Sequence, residues 1–192
     1  MLTHDSCKQR KPKTSKYGVN ITCDPLPRQA FDLVHTRMML IHLHERDKAL
    51  TRLVAALKPG GWLVAEEFDG LSLSADPTIS PGEVLLKTYQ AMQQLNKDRG
   101  VDGRYGRVLL GRFRALGLDE IAAEGRIFIV QKGSAAARLL RASYELRRTA
   151  MLQAKYLTQG EFDRDMKSME SSKFMMPSPI LWMAWGRRGH FE

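Results

Sequence analysis

No apolar run in this chain of 192 residues approaches the roughly 20 residues that a bilayer-spanning helix requires. The basic N-terminal stretch has no apolar run behind it, so it is not expected to act as a secretory signal. Cysteine is almost absent: Cys7 and Cys23 are too few for a disulfide scaffold or a metal centre. They are expected as reduced thiols in a cytoplasmic protein, and no metal ion is expected. Glycine is scarce early, Gly18 being the sole one before Gly60, so the first third holds no G-x-G turn. Acid is in short supply too. Lysine and arginine number 30 against 21 acidic residues, a formal charge of +9.

That excess is concentrated. Lys8, Arg10, Lys11, Lys13 and Lys16 oppose only Asp5 in the first 16 residues, and further clusters lie at 99–114 and 138–155. A basic tail can hold nucleic acid or an acidic surface. No aromatic residue interleaves with these lysines and no nucleic-acid motif accompanies them, so nucleic acid is not the expected partner. Residues 1–16 read instead as a disordered, solvated tail, leaving 17–192 as one α/β domain.

What is present is ordinary globular patterning, with 43% hydrophobic and 27% charged residues. A short strand is expected around Val19 and Ile21, ended by Asp24-Pro25-Leu26-Pro27. The best-organised stretch follows, FDLVHTRMMLIHLHERDKALTRLVAALKPGGWLVAEEFD, from Phe31 to Asp69. Phe31, Leu33 and Val34 start one apolar run. Ala49, Leu50, Leu53, Val54 and Leu57 recur at helical spacing. Lys58-Pro59-Gly60-Gly61 then stops the helix, since proline cannot continue it and glycine accepts a positive φ. Trp62 to Ala65 reads as a second, fully buried strand. Two strands joined by a helix predict a right-handed crossover and a parallel pair. Glu66, Glu67 and Asp69 lie at its carboxyl end, the edge where open α/β sheets bind ligands.

Beyond it, Ser80-Pro81-Gly82-Glu83 predicts a capped helix over 81–98. Another helix is expected over 104–116, ended by Gly117, and then one strand over 121–130. Ser134 caps a long helix with a predicted buried stripe of Leu139, Ala142, Leu146 and Ala150, broadened by Leu140, Tyr144 and Met151. Thr158 and Glu161 form a capping box for the next helix, with Pro177 and Pro179 after it. Ile180 to Trp185 is the last strand, stopped by Gly186.

FDLVHTR, the L-K-P-G-G turn and the acid-ended strand WLVAEEFD together resemble the second half of a class I S-adenosylmethionine-dependent methyltransferase, closest to bacterial small-molecule types. The similarity runs over about residues 20–188, including Gly117-Leu118 and the closing Ala184-Trp185-Gly186-Arg187-Arg188. It implies a Rossmann-like sheet with a helical insertion before the last strand, S-adenosylmethionine as cofactor and a small-molecule methyl acceptor. It places Asn20 and Ile21 beside the adenine ring, and His35, Thr36 and Arg37 along the methionine part. His42, Glu67 and Asp69 become candidates for a catalytic base, and the sequence does not choose among them. The loop over 70–80 and the helices over 81–98 and 135–170 are expected to shape the acceptor pocket. Plainer roles compete: His35 as a hydrogen-bonded strand end, Arg37 paired with Glu66 or Glu67, His42 as packing, and Glu67 and Asp69 as a solvated loop.

One departure from the family is large. Its first strand, its glycine-rich loop and the acid that holds the ribose have no counterpart in Met1 to Lys16, and Asn20 stands where members often carry an acid. The resemblance therefore implies an N-terminally truncated domain, a sheet lacking its first two strands, an exposed edge strand and impaired cofactor binding. The alternative is a non-catalytic remnant that self-associates or meets a partner through that edge. A basic nucleic-acid-associated protein, such as an RNA methyltransferase, is a third reading.

Overall fold

The structure, a computed structural model, describes residues 19–73 and 87–189. The expected tail and the cap at Ser80 lie outside the described residues. In chain order the elements are β1 (Phe31–Arg37), a 3-10 turn (Leu40–His42), α1 (Arg46–Ala56), β2 (Leu57–Asp69), a second 3-10 turn (Gly70–Ser72), α2 (Lys87–Asp98) and α3 (Tyr105–Ala115). Then follow β3 (Leu118–Arg126), β4 (Ile129–Gln131), α4 (Ala135–Gln153), α5 (Gln159–Ser168), β5 (Met175–Pro177) and β6 (Ile180–Arg188).

The crossover forms as its pattern predicts. Leu33 pairs with Trp62 and Arg37 with Glu66 in a parallel ladder between β1 and β2. The four-stranded sheet has the order β1-β2-β6-β3, with β6 antiparallel to both neighbours. β1 is thus an edge strand among the described residues, and Leu33 on it is 58% exposed. The fold is a mixed α/β sheet with α4 and α5 inserted before the last strand, as the family resemblance implies.

Burial along β2 alternates. Leu63, Ala65, Glu67 and Asp69 are buried, whereas Trp62, Val64, Glu66 and Phe68 are only half-buried. The buried face packs on α1 through Leu50 and Leu53 and on α3 through Leu109 and Phe113. The strand is therefore covered fully on one face, not on two as its apolar run suggested. A second core, built from Tyr89, Tyr144, Met151, Phe162, Met166 and Met176, holds α2, α4, α5 and the β4–β5 hairpin together. The predicted capping box is present: Thr158 accepts from Glu161 N, while Glu161 accepts from Thr158 N.

Several expectations need correction. Residues 20–24 form a turn, not a strand: Asn20 O accepts from Cys23 N and Asp24 N, and Asn20 Oδ1 accepts from Thr22 N. The Asn side chain competes with ladder bonding for local N–H groups. Cys23 is disulfide-bonded, whereas a cysteine count alone, blind to distance, suggested a free thiol. The single strand over 121–130 is two, β3 and β4, in different sheets. The α4 stripe is only partly as expected: Leu139 and Leu146 are 68% and 82% exposed, whereas Tyr144 and Met151 of its broadened edge are buried together with Ala137. Two apolar stripes coexist on that helix, and periodicity alone cannot say which meets the core. Finally, β6 runs through Gly186 to Arg188.

Candidate functional site

The parallel strands β1 and β2 end side by side, and each continues into a 3-10 turn. Above these ends lies a cavity of about 480 Å³. The sheet side supplies Arg37, Met38, His42, Phe68 and Gly70. The helical side supplies Tyr89 and Met92 from α2, Leu140 and Tyr144 from α4, and Met176 from β5. The lining is chiefly apolar with a few polar groups, the usual character of a small-molecule pocket.

Met38 has φ +49° at the cavity mouth. A bulky residue rarely occupies this left-handed region, and such conformations cluster at functional sites. Its amide donates to Glu66 O at 2.8 Å, which turns the chain from β1 into the 3-10 turn that carries His42. No sequence signal marks that conformation.

Glu67 holds the same turn from β2. Its Oε1 accepts from Leu40 N at 2.7 Å and Met39 N at 3.1 Å, and its Oε2 has no partner. Burial pushes its pKa up to about 7, against the lowering effect of those backbone N–H groups and of Arg46. A carboxyl buried this deeply titrates near neutrality because desolvation penalises its charged form. Asp69 is also buried but fully engaged: Arg107 Nε and Nη2 donate to it at 2.6 and 2.8 Å, and Leu71 N donates at 3.1 Å. Neither carboxylate lines the cavity, although their neighbours Phe68 and Gly70 do.

His42 does line it, and burial together with the nearby Arg147 charge lowers its pKa. Of the other expected residues, Arg37 lines the cavity and stands 3.8 Å from Glu66. His35 sits outside, its Nε2 2.8 Å from Glu66 Oε1. Thr36 is buried and its hydroxyl has no partner. Asn20 and Ile21 stand in the N-terminal turn, away from the cavity wall. Tyr144 and Arg147 escaped sequence reasoning, since a tyrosine on a core stripe and an arginine in a basic helix look structural.

A methyltransferase domain family matches residues 2–65, which includes β1, α1 and β2 as far as Ala65. The match is confined to this first third of the chain. Two methyltransferases of Strobilurus tenacellus are similar to the chain, at 29% identity over 45% of it and 31% identity over 51% of it. These matches cover 31% and 35% of those proteins. An uncharacterized methyltransferase of Schizosaccharomyces pombe is 36% identical over 42% of this chain and 28% of its own length. The chain thus spans about a third of the curated methyltransferases it matches. Among solved structures, Haemonchus contortus phosphoethanolamine N-methyltransferase 2, in complex with phosphomonomethylethanolamine and S-adenosylhomocysteine, is 16% identical. That likeness covers 90% of this chain and 36% of the other, with a TM-score of 0.48. In methyltransferase terms, the cavity lies past the two strands around the L-K-P-G-G turn.

Proposed function

We propose that the chain carries the acceptor side of an S-adenosylmethionine-dependent methyl transfer to a small molecule. The carrying observation is the apolar cavity at the carboxyl ends of β1 and β2, in a chain whose sequence through β1, α1 and the start of β2 matches a methyltransferase domain family. Part of the chain fits the cofactor: the Thr36 hydroxyl is buried without a partner and Arg37 stands at the cavity wall beside it. Thr36, Arg37 and His35 would hold the methionine end, with Asn20 and Ile21 toward the adenine. The cofactor supplies an electrophilic methyl group when bound.

The protein's own work is then orientation and removal of water, the main requirements when the electrophile is already activated. The apolar walls from Met92, Leu140 and Met176 exclude water. Where the acceptor still carries a proton, His42 is the best-placed base, because its lowered pKa leaves the imidazole neutral at pH 7. Glu67 and Asp69 act more remotely, the first by fixing the turn that bears His42, the second by tying β2 to α3.

Asn20 Oδ1 is spent on Thr22, so cofactor affinity is weak. Titration with S-adenosylhomocysteine up to millimolar concentration tests both parts of the reading. Binding in the high-micromolar to millimolar range, weakened by Thr36→Val and Arg37→Ala, is the expected result. Ordinary micromolar binding would overturn the impairment, and complete absence of binding would overturn the cofactor assignment.

A second reading, association through the edge of β1, is favoured by exposed Phe31 and Leu33 on that strand. Sedimentation over a concentration series checks it. A protein that stays monomeric throughout excludes it.

A further inference from the structure

The arginines of α4 are almost all spoken for. Arg138 donates to Gly133 O, Arg141 to Glu170, and Arg148 stands 3.6 Å from Asp163 and 3.8 Å from Glu145. Arg147 differs: among the described residues it makes no hydrogen bond and no ion pair, and its Nε is buried. Its position is equally specific. Leu140, Tyr144 and Arg147 stand at helical spacings of four and three, hence on one face, and Leu140 and Tyr144 line the cavity. The Arg147 charge reaches His42 on the opposite wall. Tyr144 is fully buried, and its hydroxyl has no partner among the described residues. Among the described residues, Arg37 is the one fully charged side chain of the cavity wall, and no aspartate or glutamate is part of it.

A buried guanidinium Nε on a half-buried arginine and a buried hydroxyl, both without partners, are costly unless something else satisfies them. Both are donors on one helix face: Tyr144 lines the apolar chamber, and Arg147 stands one turn beyond it, outside the lining itself. We propose that the cavity takes an apolar organic acid, whose oxyanion pairs with Arg147 near His42 while Tyr144 donates a hydrogen bond to one of its oxygens. Met92, Leu140, Met176 and Leu181 enclose the apolar body. The proposal rests on the methyltransferase reading only in making this acid the acceptor; the binding itself does not require it.

Calorimetry on the full chain without cofactor tests it, using phenylbutyrate and decanoate against their primary amides. Each carboxylate is expected to bind at least about tenfold more tightly than its amide, the scale of a hydrogen bond to a charged group. Arg147→Met should bring that ratio close to one, and Arg147→Lys should keep part of it. Tyr144→Phe should weaken acid and amide alike by a factor of about five, since the amide retains an oxygen acceptor. Amides that bind as well as acids, a preference that survives Arg147→Met, or no binding by chain shown to be folded would each overturn the proposal. Parallel titration with S-adenosylhomocysteine separates the two readings. Acid preference without it leaves the pocket assignment standing, whereas its binding without acid preference leaves only the cofactor assignment.

Discussion

The two cores of this molecule are built from different materials. The sheet-side core is mainly leucine, with Leu40, Leu50, Leu57, Leu63 and Leu109 at or below 1% exposure. The helical core relies on methionine: Met92, Met151, Met166, Met169 and Met176 all belong to it. Methionine is unbranched and polarizable, so it fills irregular space and repacks readily. The cavity lies where the two meet, with a firm floor from the sheet side and an adaptable wall from the helices. Such a division suits a site whose chemistry must be held still while its ligand varies.

Three measurements break or sharpen that contrast. The largest effect is expected on the firm side. Leu63→Ala, which empties a fully buried site on β2, should cost about 3 kcal/mol in urea unfolding. A loss under about 1 kcal/mol would mean that the sheet core relaxes as easily as the helical one.

Next comes Glu67, which binds the floor to the turn carrying His42. Its folded pKa of about 7 lies above the ordinary 4.5. Stability from this group is therefore fully present below pH 4.5 and lost as pH rises through 7. The loss should approach about 3 kcal/mol, at 1.36 kcal/mol per unit. Glu67→Gln keeps an acceptor for Met39 and Leu40 but cannot ionise, so its stability should fall less than that of wild type between pH 5 and 8. Parallel pH profiles for the two proteins would remove the elevated pKa.

The smallest effect is expected in the helical core. Met151→Leu, at a fully buried position, should change stability by less than about 1.5 kcal/mol because volume is nearly conserved. A larger change, seen in thermal melting, would show that the methionine wall is as closely specified as the leucine floor.

The firm side was also the more legible in sequence. The helical period of α1 and the Lys58-Pro59-Gly60-Gly61 break fix a strand–helix–strand crossover through local rules, and the Thr158–Glu161 box likewise announces its helix. The helical side was less readable for physical reasons. Leu139, Ala142 and Leu146 make as good an apolar stripe as the one that is buried, and only packing decides between them. The strand over 121–130 divides because its ends pair with different partners, Arg126 with Leu181 and Val130 with Met176. At the site, residue type located the sheet edge and its acids. It did not show that Asp69 is consumed by Arg107, that Glu67 braces a turn, or that Tyr144 lines the chamber, since each depends on contacts between distant segments.

Gly106 gives the floor its hardness. A methyl group there would sit 2.5 Å from Glu67 O and 3.0 Å from the carbonyl carbon of Phe68, so α3 rides directly on the β2 backbone. The next residue, Arg107, is thereby aimed at Asp69. Just beyond, Gly70 N donates to Gly103 O at 2.8 Å, and both glycines face the cavity. Beneath the Gln93 side chain of α2, which lies against both glycines, a ligand pressing on this seam meets peptide groups. Backbone has no alternative rotamer to offer, so every ångström of extra ligand thickness must be yielded by the opposite wall.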